Sequence, residues 1–557
     1  MARTTRSRAG FALAGLSALS VLGAGCDGGG GGSGGGGGVT AAIAPLASST
    51  DAARFLTQAT FGPTPEEIEF VQRHGYEYWL EYQTLLPATS HLELLDGYGQ
   101  GQYPDPALRT DTWWLASVRG QDQLRQRVAF ALSQIFVVSE LELAGGENAR
   151  GLANYYDLLA QHAFGNYHDL LEAVTLSPIM GIYLSHVRNE KAQPALNIRP
   201  DENYAREAMQ LFSIGLVQLN EDGTAALDSS SNPIPTYDQE VIEGFAAVFT
   251  GWTYAGTTDW GRPSRDVLQP MISFPDYHDL GAKRLLNNVV LPPNGTAESD
   301  LEGALSSIFA HPNVGPFIGK QLIQRLVTSN PSPAYVARVA RVFANDGRGV
   351  RGNLRAVVRA ILLDREARDG HEVSPTTFGK VREPLLRHTA LWRAFRAGAA
   401  NGVFDYSAPE RDLAQAPLRS PSVFNFYRPD HAPPGEVSQA GLVGPELQIL
   451  TESSITATTN RWFQATFDRY SGRPNVPGDG IVIDIEEEKA LVRAGQLQAL
   501  LDRLNLLLLS GRMSSITRTI VGNHIASIPV GPADDGAQPV VEAIYLIVSS
   551  PEFALQR

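Results

Sequence analysis

From Thr50 onward, apolar side chains recur every three to four residues, the spacing that lines one face of an α-helix. Strand-like alternation is scarce. The pattern therefore predicts a mainly α fold: a large multi-helix body with a loop-rich middle excursion and a long Pro-rich loop. Thr64-Pro65-Glu66-Glu67 is a helix start, with an N-cap, a proline at the first helical position and acids in the first turn. Gly75 closes that helix and 76–86 restarts it. Further helices are predicted at 105–118, 121–141, 152–164, 168–176, 201–216 and 238–249, then at 300–310, 314–328, 333–344, 353–363 and 378–396. Four or so more are expected between 446 and 546. Two stretches break the rhythm. Between 251 and 293 Gly, Pro, Asp and Ser accumulate, and 267–274 reads as a strand or irregular loop in a surface excursion or small hairpin. Between 408 and 445 prolines interrupt the helices. Loops longer than about 12–15 residues are uncommon in compact chains and often carry function, so both stretches are candidate functional regions.

The N-terminus obeys a different logic. Arg3, Arg6 and Arg8 precede an apolar run over 9–22 and then Gly23-Ala24-Gly25-Cys26, the layout of a secretory signal peptide at 1–25. The run is too short to span a bilayer. Cys26, directly after small residues, is placed as the thiol that receives diacylglycerol in a bacterial lipoprotein, although Gly23 stands where the usual signal has Leu. The plainer alternative is an ordinary signal peptide with an incidental Cys. After Asp27 comes an almost pure Gly run to Gly38, a coil-like spacer, so 26–49 reads as lipidated Cys plus tether and 50–557 as the helical domain. The expected location is the cell envelope, with the protein held to a membrane through lipidated Cys26; Asp27 does not choose which membrane.

Composition narrows the classes. A chain of 557 residues with 43% hydrophobic and 19% charged residues can bury a large core and is not bulk-disordered. A formal net charge of -14, made more negative when the leader's arginines are lost, argues against nucleic acid as the main partner. A single Cys excludes an intrachain disulfide.

Candidate chemistry gathers in two places. Over 201–215, read as one helix capped by Asp201, Glu202 stacks one turn from Arg206 and Asn203 one turn from Glu207. Leu211 continues the Glu207 row into apolar surface, so Glu207 is expected to be partly buried and to need a partner such as Arg125, Arg127 or Lys283. A salt-bridged helix start is the plainer alternative to a metal ligand or general base. In the middle excursion, His278-Asp279 with Lys283 four residues on offers either a proton relay or a turn closing onto the helices. Glu207, His278 and Asp279 are thus the catalytic candidates. Glu202, Glu207, Asp238 and His278 are candidate ligands for a divalent metal, and Arg206, Lys283 and Trp252 are candidate binding residues. His-Glu-x-x-His and paired Cys are absent, which disfavours zinc of the protease or finger type. Gly31-Gly32-Ser33-Gly34-Gly35 fits a nucleophile-elbow pattern only by composition. Gly347 to Gly352 fits Gly-x-Gly-x-x-Gly but follows a helix where a dinucleotide site needs a strand; the arginines 348, 351 and 355 leave an anion site open there. Phe424-Asn425-Phe426-Tyr427-Arg428-Pro429, like Trp113-Trp114 and Trp252, either lines a groove or plugs the core.

Taken in order, several runs resemble one bacterial family, domain of unknown function 1800: Ala53-Arg54-Phe55-Leu56, Ala59 to Thr64, Leu124 to Val128, Glu202-Asn203-Tyr204-Ala205-Arg206-Glu207 with Leu211 and Gly215, Thr250-Gly251-Trp252, His278-Asp279, Asn330-Pro331-Ser332-Pro333, Gly347 to Gly352, and Ser550-Pro551-Glu552-Phe553. The resemblance implies an exported protein without an assigned activity, whose relatives' genes often neighbour those of family 1501, similar to sulfatases and phosphatases. Phe212-Ser213 stands where many relatives have His-Thr, so no ligand role for that His carries over. Two functions follow as expectations. One is a binding or assembly partner of another cell-surface protein, such as one of family 1501. The other is an extracytoplasmic metal-dependent hydrolase acting on a surface polymer.

Overall fold

A computed structural model describes residues 47–557 apart from 144, 474–475, 477–479 and 532–534. The leader, Cys26, the Gly tether and the Gly31–Gly35 pattern lie outside the described residues. The fold is mainly α: helices dominate, and the named strands form three antiparallel pairs of two-residue strands. Among the described residues no helix is long and apolar enough to cross a membrane.

Local chemistry sets many helix starts. Thr64 Oγ1 accepts from Glu67 N ahead of the Pro65–Leu85 helix, in which Gly75 takes φ 82° and kinks the helix between two segments that share its span. Ser332 Oγ accepts from Tyr335 N, and Pro333 opens the Pro333–Ala344 helix at the residue expected. That helix buries Val336, Val339 and Phe343 against the helices Val314–Leu326 and Leu354–Leu363.

Three predicted helices are shorter than their sequence pattern, each for a tertiary reason. The 121–141 stretch is helical only over Gln123–Ser133; beyond it Ser139 Oγ donates to Ser420 O at 2.6 Å and Glu140 N to Leu418 O at 2.8 Å, so the chain pairs with the Pro-rich segment instead. The 378–396 stretch splits: Lys380–Val381 pairs with Leu555–Gln556, and the helix starts at Pro384, whose ring holds Glu383 in an extended conformation. The 201–216 stretch is helical only over Asn203–Gln210. The excursion at 251–293 contains small hairpins, Trp252–Thr253 with Ile272–Ser273 and Lys283–Arg284 with Val290–Leu291.

The core is continuous from the first helix to the last. At one point Trp114 meets Trp113 and Trp392 edge-on at 5.1 and 5.0 Å and donates its Nε1 proton to Tyr406 O. Such edge-to-face pairs add about 0.5–1.5 kcal/mol each beyond their burial. The Trp113-Trp114 pair is therefore core and lines no groove.

Candidate functional site

The excursion residues form a buried ionic lock. His278 Nδ1 donates to Thr250 O at 2.9 Å, and its Nε2 lies 3.1 Å from Asp300 Oδ2. Lys283 Nζ reaches the same Asp300 oxygen at 2.8 Å and donates to the carbonyls of Asp279 and Gly281. Asp279 itself is partly exposed; its backbone N–H donates to Thr250 Oγ1, as a turn residue would. Gly244 lets this excursion close: a Cβ there would stand 1.9 Å from Arg284 O, so only a bare backbone fits. Asp300, on the helix Ala297–Ala310, is the member that sequence reasoning did not select. Trp252 is buried in the strand pair and its Nε1 has no hydrogen-bond partner.

The Asn203–Gln210 helix carries the other candidates. Arg206 Nη2 pairs with Glu202 at 2.6 Å and donates to Gln239 Oε1, while Gln239 Nε2 donates back to Glu202. Asp238 caps the next helix through Val241 N and pairs with Arg284 at 3.0 Å. Glu202 and Asp238 are thus linked to neighbours through Gln239 and Arg284, but each carboxylate has its own cation. Glu207 does not receive Arg125, Arg127 or Lys283 as hydrogen-bond partner; its Oε2 is buried and unpartnered. Among the described residues no group of three or more His, Cys, Asp or Glu side chains is placed to hold a metal ion. Glu202, Asp238 and His278 are engaged separately, and Glu207 has no side-chain partner among the described residues.

Burial pushes the Glu207 carboxyl above the ordinary range, with Arg206 opposing. The folded state then keeps this proton to higher pH than the unfolded chain. Its contribution to stability is greatest below the unfolded glutamate pKa of about 4.3 and declines as pH rises to the folded value. Glu207→Gln is expected to flatten that part of the stability profile, measured by thermal melting from pH 4 to 7; an unchanged slope would exclude Glu207 as its source.

A large cleft, of about 960 Å³, lies elsewhere. Its walls come from the chain after the Asn203–Gln210 helix, from the helix Val314–Leu326, from Asn330-Pro331-Ser332-Pro333, and from the Pro-rich segment at 423–430 and 441–443. Gly215, at φ 74°, turns the chain across the cleft wall where a Cβ would meet the Phe317 ring at 2.9 Å. Leu216 and Phe424 are large apolar side chains 57% and 48% exposed beside it. The Phe424 to Pro429 passage thus does both things expected of it: Phe424 lines a groove while Tyr427 sinks into the floor.

Beneath the floor lies a layer of charge. Gln134, Arg325 and Tyr427 face the cleft, and with them Arg127, Lys380, Glu383, Gln415 and Glu446 are each no more than 5% exposed. Lys380 Nζ pairs with Glu446 Oε1 at 2.9 Å, and Glu383 Oε2 accepts from Gln134 and Gln415. Arg127 donates to Arg325 O at 2.6 Å, and Arg325 to Gln134 O at 2.9 Å. Arg127 Nε and Nη1, Arg325 Nε, Glu383 Oε1, Glu446 Oε2 and Gln134 Oε1 have no partner. Burial raises the Glu446 carboxyl despite Lys380, and burial with the adjacent Glu383 and Glu446 raises the Tyr427 hydroxyl. A layer with so many half-satisfied groups is costly to fold, which marks it as a candidate functional centre. Sequence reasoning named Arg127 only within a run and as a partner for Glu207, and Tyr427 only within a run, and it missed Lys380, Glu383 and Glu446; the one signal nearby was the length of the Pro-rich loop.

The Gly347 to Gly352 loop is a turn: Asn345 and Asp346 side chains accept from the N–H groups of 347, 348, 349 and 350. Arg351 donates to Phe309 O and His311 O, and Arg355 pairs with Glu81, so two of the three arginines there are already engaged.

Fold and cleft together define a class of protein: a large α-helical body bearing a ligand-sized cleft over a buried ionic layer. The family model described as Protein of unknown function (DUF1800) matches residues 54–555, and the chain belongs to that family. No curated protein and no solved structure matches it.

Proposed function

We propose that this protein is an exported, lipid-anchored binding protein of the cell envelope, held through Cys26, whose cleft receives an extended peptide segment of another envelope protein. The cleft carries this reading. Its volume of about 960 Å³ suits a short peptide segment, and its exposed Leu216 and Phe424 gain from being covered. Among the described residues the side-chain amides of Gln210 and Gln321, which line it, make no hydrogen bond to protein. A primary amide offers donors and an acceptor together, the complement of a peptide group. A protein of the neighbouring family 1501 is the first partner to test.

The test is binding of the purified full chain, with and without Cys26→Ser, to such a purified partner. Phe424→Ala with Gln321→Ala is expected to weaken binding about tenfold or more, as loss of a central anchor does. Cys26→Ser is expected to leave affinity unchanged and to move the protein out of the membrane fraction. Wild-type affinity in the cleft variant rejects the cleft as the docking site. A second reading, an extracytoplasmic hydrolase of a surface polymer, is favoured by the carboxylates Glu383 and Glu446 beneath Tyr427; it requires turnover that Glu383→Gln abolishes.

A further inference from the structure

A second cavity, of about 310 Å³, lies away from the cleft and shares none of its lining. It is lined by Arg54, Arg382, Arg512 and Arg557, with Glu552 and the hydroxyl residues Thr57 and Ser510. Four arginines thus line the cavity with one acidic side chain, and Glu552 is already engaged by Ser514 N and Thr517 Oγ1. This excess of cation stands in a chain whose formal net charge is -14.

The two inner arginines are built into the fold. Arg54 is 4% exposed and Arg382 5%. Arg54 Nη1 donates to Ala367 O at 2.9 Å, with Nη2 directed to Arg368 O, and its Nε has no partner. Arg382 lies over the Phe553 ring at 4.4 Å and donates through Nε and Nη2 to Phe553 O, with Nη2 also reaching Leu508 O. Its Nη1 makes no hydrogen bond. Arg512 and Arg557 are exposed at the mouth and their guanidinium groups make none either. Among the described residues no carboxylate stands within 4.0 Å of Arg382, Arg512 or Arg557, and the one near Arg54 is Asp51 at 3.9 Å. Burial lowers the Arg382 guanidinium to about 9, so it remains protonated at neutral pH, and its buried charge has no counter-ion.

We propose that this cavity is an anion site that takes a phosphate group, held between the inner guanidinium of Arg382 and the outer pair Arg512 and Arg557. Planar, fork-shaped donors fixed by packing suit a tetrahedral oxyanion, which can accept from several guanidinium groups at once. Of the hydroxyls in the lining, Thr57 Oγ1 donates to Ala53 O at 2.9 Å, while Ser510 Oγ, 3.2 Å from Thr57 Oγ1, becomes a neutral donor to the anion by turning away from Thr57. The same chemistry serves free phosphate and the headgroup of an anionic phospholipid, and Leu508, Leu509 and Leu555 in the lining would tolerate a lipid's first carbons.

The experiment uses the full chain carrying Cys26→Ser, titrated with inorganic phosphate by calorimetry and mixed with phosphatidylcholine vesicles with or without phosphatidylglycerol for flotation. Arg512 is exposed, so Arg512→Met should fold normally; Arg382→Met tests the buried partner, and Arg341→Met, far along the chain in a surface pair with Glu221, is the control. Saturable phosphate binding that falls about tenfold or more in Arg512→Met and not in Arg341→Met supports the site with a free phosphate ligand. Flotation with the anionic vesicles alone, lost in Arg512→Met, supports it with a headgroup ligand. Absence of both, or phosphate binding of wild-type strength in Arg512→Met and Arg382→Met alike, overturns it.

Discussion

Glu446→Leu and Lys380→Met are each expected to destabilise the fold by about 3–5 kcal/mol, while the double variant lies closer to the wild type than either single one. The two side chains are 2% and 1% exposed and pair at 2.9 Å under the cleft. Removing one leaves the other charge buried without its counter-charge, and Lys380 then keeps only the carbonyl of Arg325. Removing both exchanges an ion pair for apolar volume, which proteins often tolerate. The check is a double-mutant cycle by chemical unfolding at neutral pH; costs that simply add would show that the pair does not act as a unit. The pH sign is fixed too. Because burial raises the Glu446 carboxyl, its contribution to stability is greatest below the unfolded glutamate pKa of about 4.3 and declines as pH rises towards the folded value.

Asp300→Ala carries the second large effect, again about 3–5 kcal/mol, because it removes the buried carboxylate that Lys283 and His278 share and leaves Lys283 only two carbonyls and the partly exposed Asp279 carboxylate at 3.7 Å. Glu202→Ala, by contrast, removes half of a partly exposed i,i+4 pair with Arg206 and is expected to cost about 0.5 kcal/mol or less. The comparison separates the role of the 251–293 excursion from that of the Asn203–Gln210 helix. Equal costs in the two variants would mean that the lock around Asp300 is not holding the excursion against the helices. The measurement is the same unfolding series, and it bears on residues selected from sequence for chemistry: here His278 and Lys283 act in closure of the excursion onto the Ala297–Ala310 helix.

The helical character was legible because it is written locally. A residue such as Thr64, Ser332 or Asn353 caps the chain that immediately follows it, and the three-to-four spacing of apolar side chains needs no knowledge of the partner surface. The family was legible for a related reason, since its runs are short and lie in a fixed order along most of the chain. The ends of helices were less so. Gln134 and Leu211 each follow a helix whose apolar pattern continues, and what stops it is hydrogen bonding to a segment remote in sequence or a turn at Gly215.

The candidate site was the least legible part. Glu202, Arg206 and Glu207 stood out because they are adjacent in sequence, and adjacency on one helix favours pairing with each other, as Glu202 and Arg206 do. Lys380 and Glu446 are far apart in sequence and meet only because a two-residue strand pair and the end of the Pro-rich segment are brought together. Arg54 and Arg382 share a cavity across an even longer span. The sequence by itself determined the helices, their caps, the family and the expectation of an envelope address at Cys26. Only the tertiary structure decided which charges are buried together and where the cleft opens. Periodicity and capping act over one or two turns of chain, whereas the energy of a buried charge depends on every group packed around it, wherever in the sequence that group lies.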